Sequence, residues 1–266
     1  MGAYELFTST DAAELWSRIG VAADRFAALA GSVEANEHLH GSTWTPRDVV
    51  GHLLTVVRRY THGPTLGETP RDVDRINADE LAGLGDRPRE ELLDELAVEM
   101  KLVRELWGPD ILDLHMRIPF HGGVTVDAAA AMSNLIGEFL LHGRDIAMTA
   151  GKAWAIEDRD AVLILNGVMQ ILPAYAVSSA TKSLRVKVVV PGARAWLLDF
   201  RHGELSSEPA VTPHRVDVVV RARAEALMLL LYARLSPRQA ARRGVLVVGG
   251  RRPWRVAWLP SMLEQP

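Results

Sequence analysis

The stretch Ile136-Gly-Glu-Phe-Leu-Leu-His-Gly-Arg-Asp145 decides how this chain is read. It is strongly helical and apolar enough to be buried, yet it carries Glu138 and His142 four residues apart. Four residues turn an α-helix by about 400°, so both side chains leave one face, about 6 Å apart along the axis. Two donors at that spacing can share one cation, as histidine pairs do in zinc-binding helices. The same spacing also suits a solvated pair worth roughly a few tenths of a kcal/mol. A third ligand would have to come from elsewhere. The best candidate is His52, mid-helix between Val49 and Val56 in a segment otherwise made of core residues. A histidine there suits a hydrogen-bonded place in the core as well as it suits a ligand.

Working outward, the first part of the chain reads as helices. Asp11 and Glu14 form a capping-box pattern for a helix with Leu15, Ile19, Ala22, Phe26 and Leu29 on its inner face. Thr45, Pro46 and Asp48 open a second helix through Val57, ending near His62–Gly63–Pro64. Residues 64–85, rich in Gly, Pro, Asp and Arg, read as a long loop. A third helix covers 88–107, with Leu92, Leu96, Leu102, Val103 and Leu106 as its expected inner stripe. Residues 112–120 are extended, His121–Gly122–Gly123 is a turn, and Thr125 caps a helix over about 127–150 that Gly151 ends. A helix over 159–177 completes an expected domain of residues 1–180.

Near residues 178–183 the pattern changes. Residues 184–190 (LRVKVVV) alternate and are β-branched, Pro191–Gly192 is a turn, and 195–200 and 216–220 read as strands. Helices at 224–233 and 237–243 and a strand at 245–248 follow. Residues 181–266 are therefore expected to form a small α+β domain.

Composition narrows the chemistry. With 48% hydrophobic and 24% charged residues the chain is an ordinary globular one. There is no cysteine, which excludes disulfides, thiolate ligands, iron–sulfur clusters and a cysteine nucleophile. Any metal must be held by His, Asp and Glu, and any thiol chemistry must use a thiol from outside. Met1–Ser9 has no signal-peptide character, and the longest apolar run, residues 226–233, is far short of the roughly 20 residues of a membrane span. A cytoplasmic protein with no membrane partner is expected. Residues 1–180 carry 15 Lys/Arg against 27 Asp/Glu, a balance of −12, and residues 181–266 carry 15 against 6, a balance of +9. Two domains attracting each other account for this better than nucleic acid, since no aromatic-interleaved basic patch accompanies it. Oligomeric state is not legible.

Trp44-Thr-Pro-Arg-Asp-Val-Val-Gly-His52-Leu, followed much later by Gly137-Glu138-Phe-Leu-Leu-His142-Gly-Arg-Asp145-Ile-Ala, resembles the mycothiol-dependent maleylpyruvate isomerase family, a group of DinB-like four-helix metalloenzymes. Leu235-Ser-Pro-Arg-Gln-Ala240 and Gly244-Val-Leu-Val-Val-Gly249 are similar to the sterol-carrier-type domain often fused to them. The resemblance spans essentially the whole chain. It implies a two-domain α plus α/β protein: a DinB-like four-helix bundle, residues 1–180, then a small sterol-carrier-like α+β domain, residues 181–266. It also ties His52, Glu138 and His142 together as ligands of one divalent metal, zinc or a similar ion.

Two imidazoles and a carboxylate make a three-ligand site with a coordination position open for chemistry. The implied cofactor is mycothiol, a low-molecular-weight thiol whose thiolate the ion would favour. The implied partner is a small electrophilic substrate. In an isomerase the thiol adds to an activated double bond, rotation follows, and elimination gives the other geometry. In a transferase the thiol attacks an electrophile and stays attached. Both remain open, as do a non-catalytic lipid- or small-molecule-binding module with a structural metal, and a metal-binding regulator with a fourth protein ligand.

Other residues carry weaker signals. Asp145, three residues beyond His142, would orient that ring. His121 would line the pocket mouth. Arg221, Arg223 and Arg234 are candidates for the arginine that, by the resemblance, reaches the active site and grips a carboxylate. Trp44 reads as a packing residue, and His38 and His40 receive no role.

Overall fold

The computed structural model describes residues 9–63, 67, 69–120, 123–193, 195–210 and 215–264. These divide into two compact units, one reaching to Ile156 and the other starting at Glu157.

The first unit is built on four long helices. They are α1 (Ser9–Gly31), α2 (Pro46–Thr61), α4 (Arg89–Trp107) and α5 (Ala128–Thr149), with a shorter α3 (Pro70–Gly83) after α2. α2 packs mainly on α4 and α1 mainly on α5, so the bundle is two helix pairs laid together. Leu15, Ile19 and Phe26 of α1, Leu53 and Leu54 of α2, Leu92 of α4 and Leu135, Ile136, Phe139 and Leu140 of α5 fill its centre. Each such fully buried side chain contributes about 1.5–3 kcal/mol. The Phe26 and Phe139 rings meet at 5.7 Å between centroids.

The start of α2 follows from its sequence. Thr45 caps the helix, Pro46 takes its first turn, and the Asp48 carboxylate accepts from the Thr45 backbone N–H at 2.9 Å. α1 begins at Ser9, so Asp11 lies inside the helix rather than at its cap. The expected loop over 64–85 is also corrected, because α3 occupies much of it. Thr69 and Asp72 repeat the same box, the Asp72 carboxylate accepting from the Thr69 N–H at 2.9 Å with Pro70 at the first helical position. On α4 the inner stripe is Leu92, Leu96, Glu99 and Val103, whereas Leu102 and Leu106 are exposed. A stripe at 92, 96, 99 and 103 keeps to one helical face; 102 and 106 fall off it.

Between α4 and α5 lies a hairpin of β1 (Arg117–Phe120) and β2 (Val124–Asp127), with Phe120 opposite Val124. Thr125 is therefore a strand residue, and Asp127 is the N-cap of α5. The buried Asp127 carboxylate accepts from Arg117 Nη1 at 2.8 Å. α5 is buried on nearly every side from Ala128 to Ala147, its alanine-rich start letting neighbours approach closely. Gly151, at φ +62°, follows its end.

In the second unit, α6 (Asp158–Ile171) continues into a 3-10 turn, Leu172–Tyr175. A five-stranded sheet follows, made of β3 (Leu184–Val189), β4 (Trp196–Arg201), β5 (Glu204–Pro209), β6 (Val218–Arg221) and β7 (Leu246–Gly249) in the order β5-β4-β3-β6-β7. Among the described strands only β3 and β6 run parallel. The β4–β5 hairpin turns on His202 and Gly203, at φ 52° and 83°, the pair of positive values that a tight two-residue turn requires. α7 (Ala224–Leu231) and α8 (Pro237–Arg242) lie between β6 and β7. Because α6 packs on α7 and β5, it belongs with the sheet, and the boundary expected near residue 180 falls inside this second unit.

Among the described residues no helix is long and apolar enough to cross a membrane.

Candidate metal centre

α2 and α5 bring three side chains of the first unit to one point. His52, Glu138 and His142 each offer a ligand atom, all within 4.8 Å of one another. Glu138 Oε2 stands 3.5 Å from His52 Nε2 and 3.4 Å from His142 Nε2. A charge-assisted N–H···O hydrogen bond between such groups would close to about 2.7–2.9 Å. Ligands disposed tetrahedrally about an ion at about 2.0–2.1 Å stand about 3.4 Å from each other. The two separations from Glu138 are close to that edge length, and the three ligand atoms all lie within 4.8 Å of one another. The donor set, two imidazoles and one carboxylate without sulfur, suits zinc or a similar divalent ion.

The electrostatics agree. Burial pushes the Glu138 carboxyl up, but the facing His142 and His52 imidazoles outweigh it and hold its pKa well below the ordinary 4.5. Glu138 is thus an anion in the protein interior. His52 is pushed the other way: burial lowers its pKa below the ordinary 6.5 and favours the neutral ring that a metal needs. Its Nδ1 is buried with no hydrogen-bond partner among the described residues. A ring that ligates an ion through Nε2 would carry its proton on Nδ1 instead.

Two neighbours complete the site, and the sequence reading missed both in this role. The Trp44 ring lies 5.0 Å from that of His52, tilted by 52°, and 6.0 Å from that of His142, nearly parallel at 22°. Trp44, read from sequence as a packing residue, is an aromatic wall against both histidines. Asn134, buried one turn before Glu138, donates from Nδ2 to Glu138 Oε1 at 3.2 Å. That bond engages one carboxylate oxygen and leaves Oε2 facing the imidazoles. The spacing 134, 138, 142 along one helical face was a readable signal for it.

A cleft of about 640 Å³ opens beside Trp44, lined also by Arg47, Asp48, Asn77, Leu81 and Asp86. None of His52, Glu138 and His142 lines it.

The remaining candidates sit as follows. Asp145 Oδ2 is 3.8 Å from His142 Nδ1, near the ring but beyond a direct hydrogen bond. His121 lies outside the described residues. His38 Nδ1 pairs with the Thr43 carbonyl at 3.0 Å, a local contact. Arg221 and Arg223 are exposed in the second unit, and Arg234 donates from Nη1 to the Tyr232 carbonyl at 2.9 Å.

Comparison with known proteins bears on the fold. Residues 173–251 match the family model described as the SCP-2 sterol transfer family. No curated protein matches the chain. The crystal structure of the mycothiol-dependent maleylpyruvate isomerase is similar over 95% of this chain and 98% of its own length, with a TM-score of 0.53 at 15% identity. A histidine-to-alanine mutant of that isomerase matches over the same shares, with a TM-score of 0.52 at 15% identity. The likeness to the isomerase is one of fold, a helical first part followed by an α+β part, and the second part carries the sterol-transfer match.

Proposed function

We propose that this chain is a metal-dependent enzyme that uses mycothiol, either to isomerise a small maleylpyruvate-type substrate or to transfer the thiol to a small electrophile. The observation that carries the reading is the convergence of His52, Glu138 and His142 from two helices, their ligand atoms within 4.8 Å of one another and Glu138 Oε2 at 3.5 and 3.4 Å from the two imidazoles. The fold shared with a mycothiol-dependent isomerase and the absence of cysteine support it.

A divalent ion held by these three residues would supply positive charge that stabilises a bound thiolate at neutral pH. Glu138 would offset part of that charge, keeping the site at net +1 so that one further anion is welcome. Asn134 fixes the carboxylate, and Trp44 excludes water from one flank of both imidazoles. Asp145 would orient the His142 ring. An arginine fork for a carboxylate-bearing substrate is assigned to the second unit, at Arg221, Arg223 or Arg234. Replacing the responsible arginine with alanine would raise KM for an acidic substrate and leave metal content unchanged.

Metal-loaded protein incubated with mycothiol and either maleylpyruvate or an alkylating electrophile should turn one of them over. Chelation should abolish turnover and readdition of zinc should restore it. Turnover that persists without metal would remove the proposal. A second reading rests on the match of residues 173–251 to a sterol-transfer family: the second unit binds an apolar ligand. Lipid retained by native protein, with function indifferent to His52→Ala, would favour it.

A further inference from the structure

The second unit carries a basic stretch that, Arg234 apart, neither the candidate metal centre nor the proposed chemistry uses. From residue 226 to residue 263 there are seven arginines, Arg234, Arg238, Arg242, Arg243, Arg251, Arg252 and Arg255, and no acidic residue. Inside that stretch lies Arg242-Arg-Gly-Val-Leu-Val-Val-Gly-Gly-Arg-Arg-Pro-Trp254, an apolar strand between two arginine pairs.

The structure leaves this strand uncovered. β7 is an edge of the sheet, bonded to β6 on one side only. Successive strand residues point to opposite faces, yet Leu246, Val247 and Val248 are 49%, 41% and 55% exposed, so both faces of β7 leave aliphatic surface open. The segment Pro253–Ser261 packs against β7 and presents Trp254 at 68% exposure. Arg242, Arg243 and Arg251 are exposed and have no ion pair among the described residues. Arg252 and Arg255 share the single carboxylate of Asp217, at 3.8 and 3.6 Å.

We propose that β7, Trp254 and the flanking arginines form a docking surface for an anionic phospholipid bilayer. Uncompensated positive charge calls for an anionic partner. A second copy of the chain is disfavoured, because antiparallel pairing of two β7 edges would set Arg242 and Arg243 beside Arg251 and Arg252 of the other copy. Nucleic acid accounts for the arginines but leaves three aliphatic side chains with nothing to bury them. A bilayer surface accounts for both: aliphatic side chains and an indole enter the interface while guanidinium groups reach the phosphates.

The test is cosedimentation of the full-length protein with phosphatidylcholine vesicles, with and without phosphatidylglycerol. Binding is expected only to the anionic vesicles and should be released by salt. Arg242→Glu with Arg243→Glu should weaken it by at least about tenfold. Trp254→Ala should weaken it too, with metal content and circular dichroism unchanged in both variants. Comparing wild type with Trp254→Phe should isolate a blue-shifted Trp254 emission on vesicle binding. Absence of binding to anionic vesicles, equal binding to neutral ones, or variants that bind like wild type would overturn the proposal. So would a DNA duplex that displaces the protein from vesicles, or a dimer in solution that Val247→Glu breaks apart.

Discussion

The His142 imidazole lies nearly parallel to the Trp44 indole, 22° between planes and 6.0 Å between centroids, while the His52 ring meets the same indole at 5.0 Å. One side chain thus limits how both imidazoles can swing. Trp44→Ala should lower metal affinity about tenfold and stability by about 2 kcal/mol, less than a fully buried tryptophan because Trp44 is partly exposed. Trp44→Phe should restore most of the affinity. Zinc titration and thermal melts of the three proteins check this; equal affinities would reduce Trp44 to packing.

Removing a ligand should be more severe. His52→Ala, Glu138→Gln and His142→Ala should each reduce bound metal from about one equivalent to a small fraction at micromolar free zinc. Elemental analysis after dialysis measures it. Retention of a full equivalent by all three variants would place the ion elsewhere.

Asn134 acts through Glu138, so its variant separates orientation from ligation. Asn134→Leu leaves Oε1 unpartnered and lets the carboxylate rotate. Metal affinity should fall about tenfold while one equivalent still binds at saturation. Asn134→Gln, with the same amide on a longer stem, should recover only part of it.

Protons compete with the ion and with folding. Burial lowers the His52 pKa from its ordinary 6.5, so below about pH 6.5 the unfolded chain takes up a proton before the folded one does. The stability this group contributes is complete above 6.5 and is lost as pH falls toward the folded value. Glu138 behaves alike at lower pH: its contribution is present above 4.5 and lost as pH falls through its depressed pKa. Metal-free protein should therefore show a declining Tm as pH drops below about 6.5, and His52→Gln should flatten that limb. A pH-independent Tm across the window would contradict the burial described for His52.

Gly143 follows His142 directly and faces Trp154, whose Nε1 donates to the Leu140 carbonyl at 2.9 Å. A Cβ at residue 143 would overlap the Trp154 ring. Gly143→Ala should cost about 2 kcal/mol from overpacking, and should weaken metal binding because the helix that carries His142 must shift. Denaturant unfolding and zinc titration give the two readouts.

Much of this was legible in the residues. Thr45, Pro46 and Asp48 set the start of α2, Gly151 the end of α5, and the alternation of 184–190 a strand, because each rests on local backbone chemistry. α3 was equally marked, with Thr69, Pro70 and Asp72 repeating the same signal, but glycine and proline around it read as loop. The hairpin before α5 hid its cap: Thr125 is a good capping residue by type, yet pairing with Pro119 draws it into a strand. Leu102 and Leu106 looked internal because periodicity does not say which neighbours a helix meets. β5 carried too few β-branched residues to be noticed and is fixed by its pairing with β4. At the metal centre the spacing of Glu138 and His142 was visible, but the approach of His52 from another helix needed the fold. Trp44 escaped for the same reason, since contact between distant segments leaves no local mark.

The three candidate ligands also fall on the two halves of the bundle unequally. His52 belongs to the α2/α4 pair, Glu138 and His142 to the α1/α5 pair, so an ion held there would act as a bolt through the seam. Occupancy would then be felt as mechanical closure of the whole bundle as well as at the reacting atoms. Backbone amides along α2 and α5 should exchange with solvent faster once the bolt is drawn, in proportion to how tightly it was held.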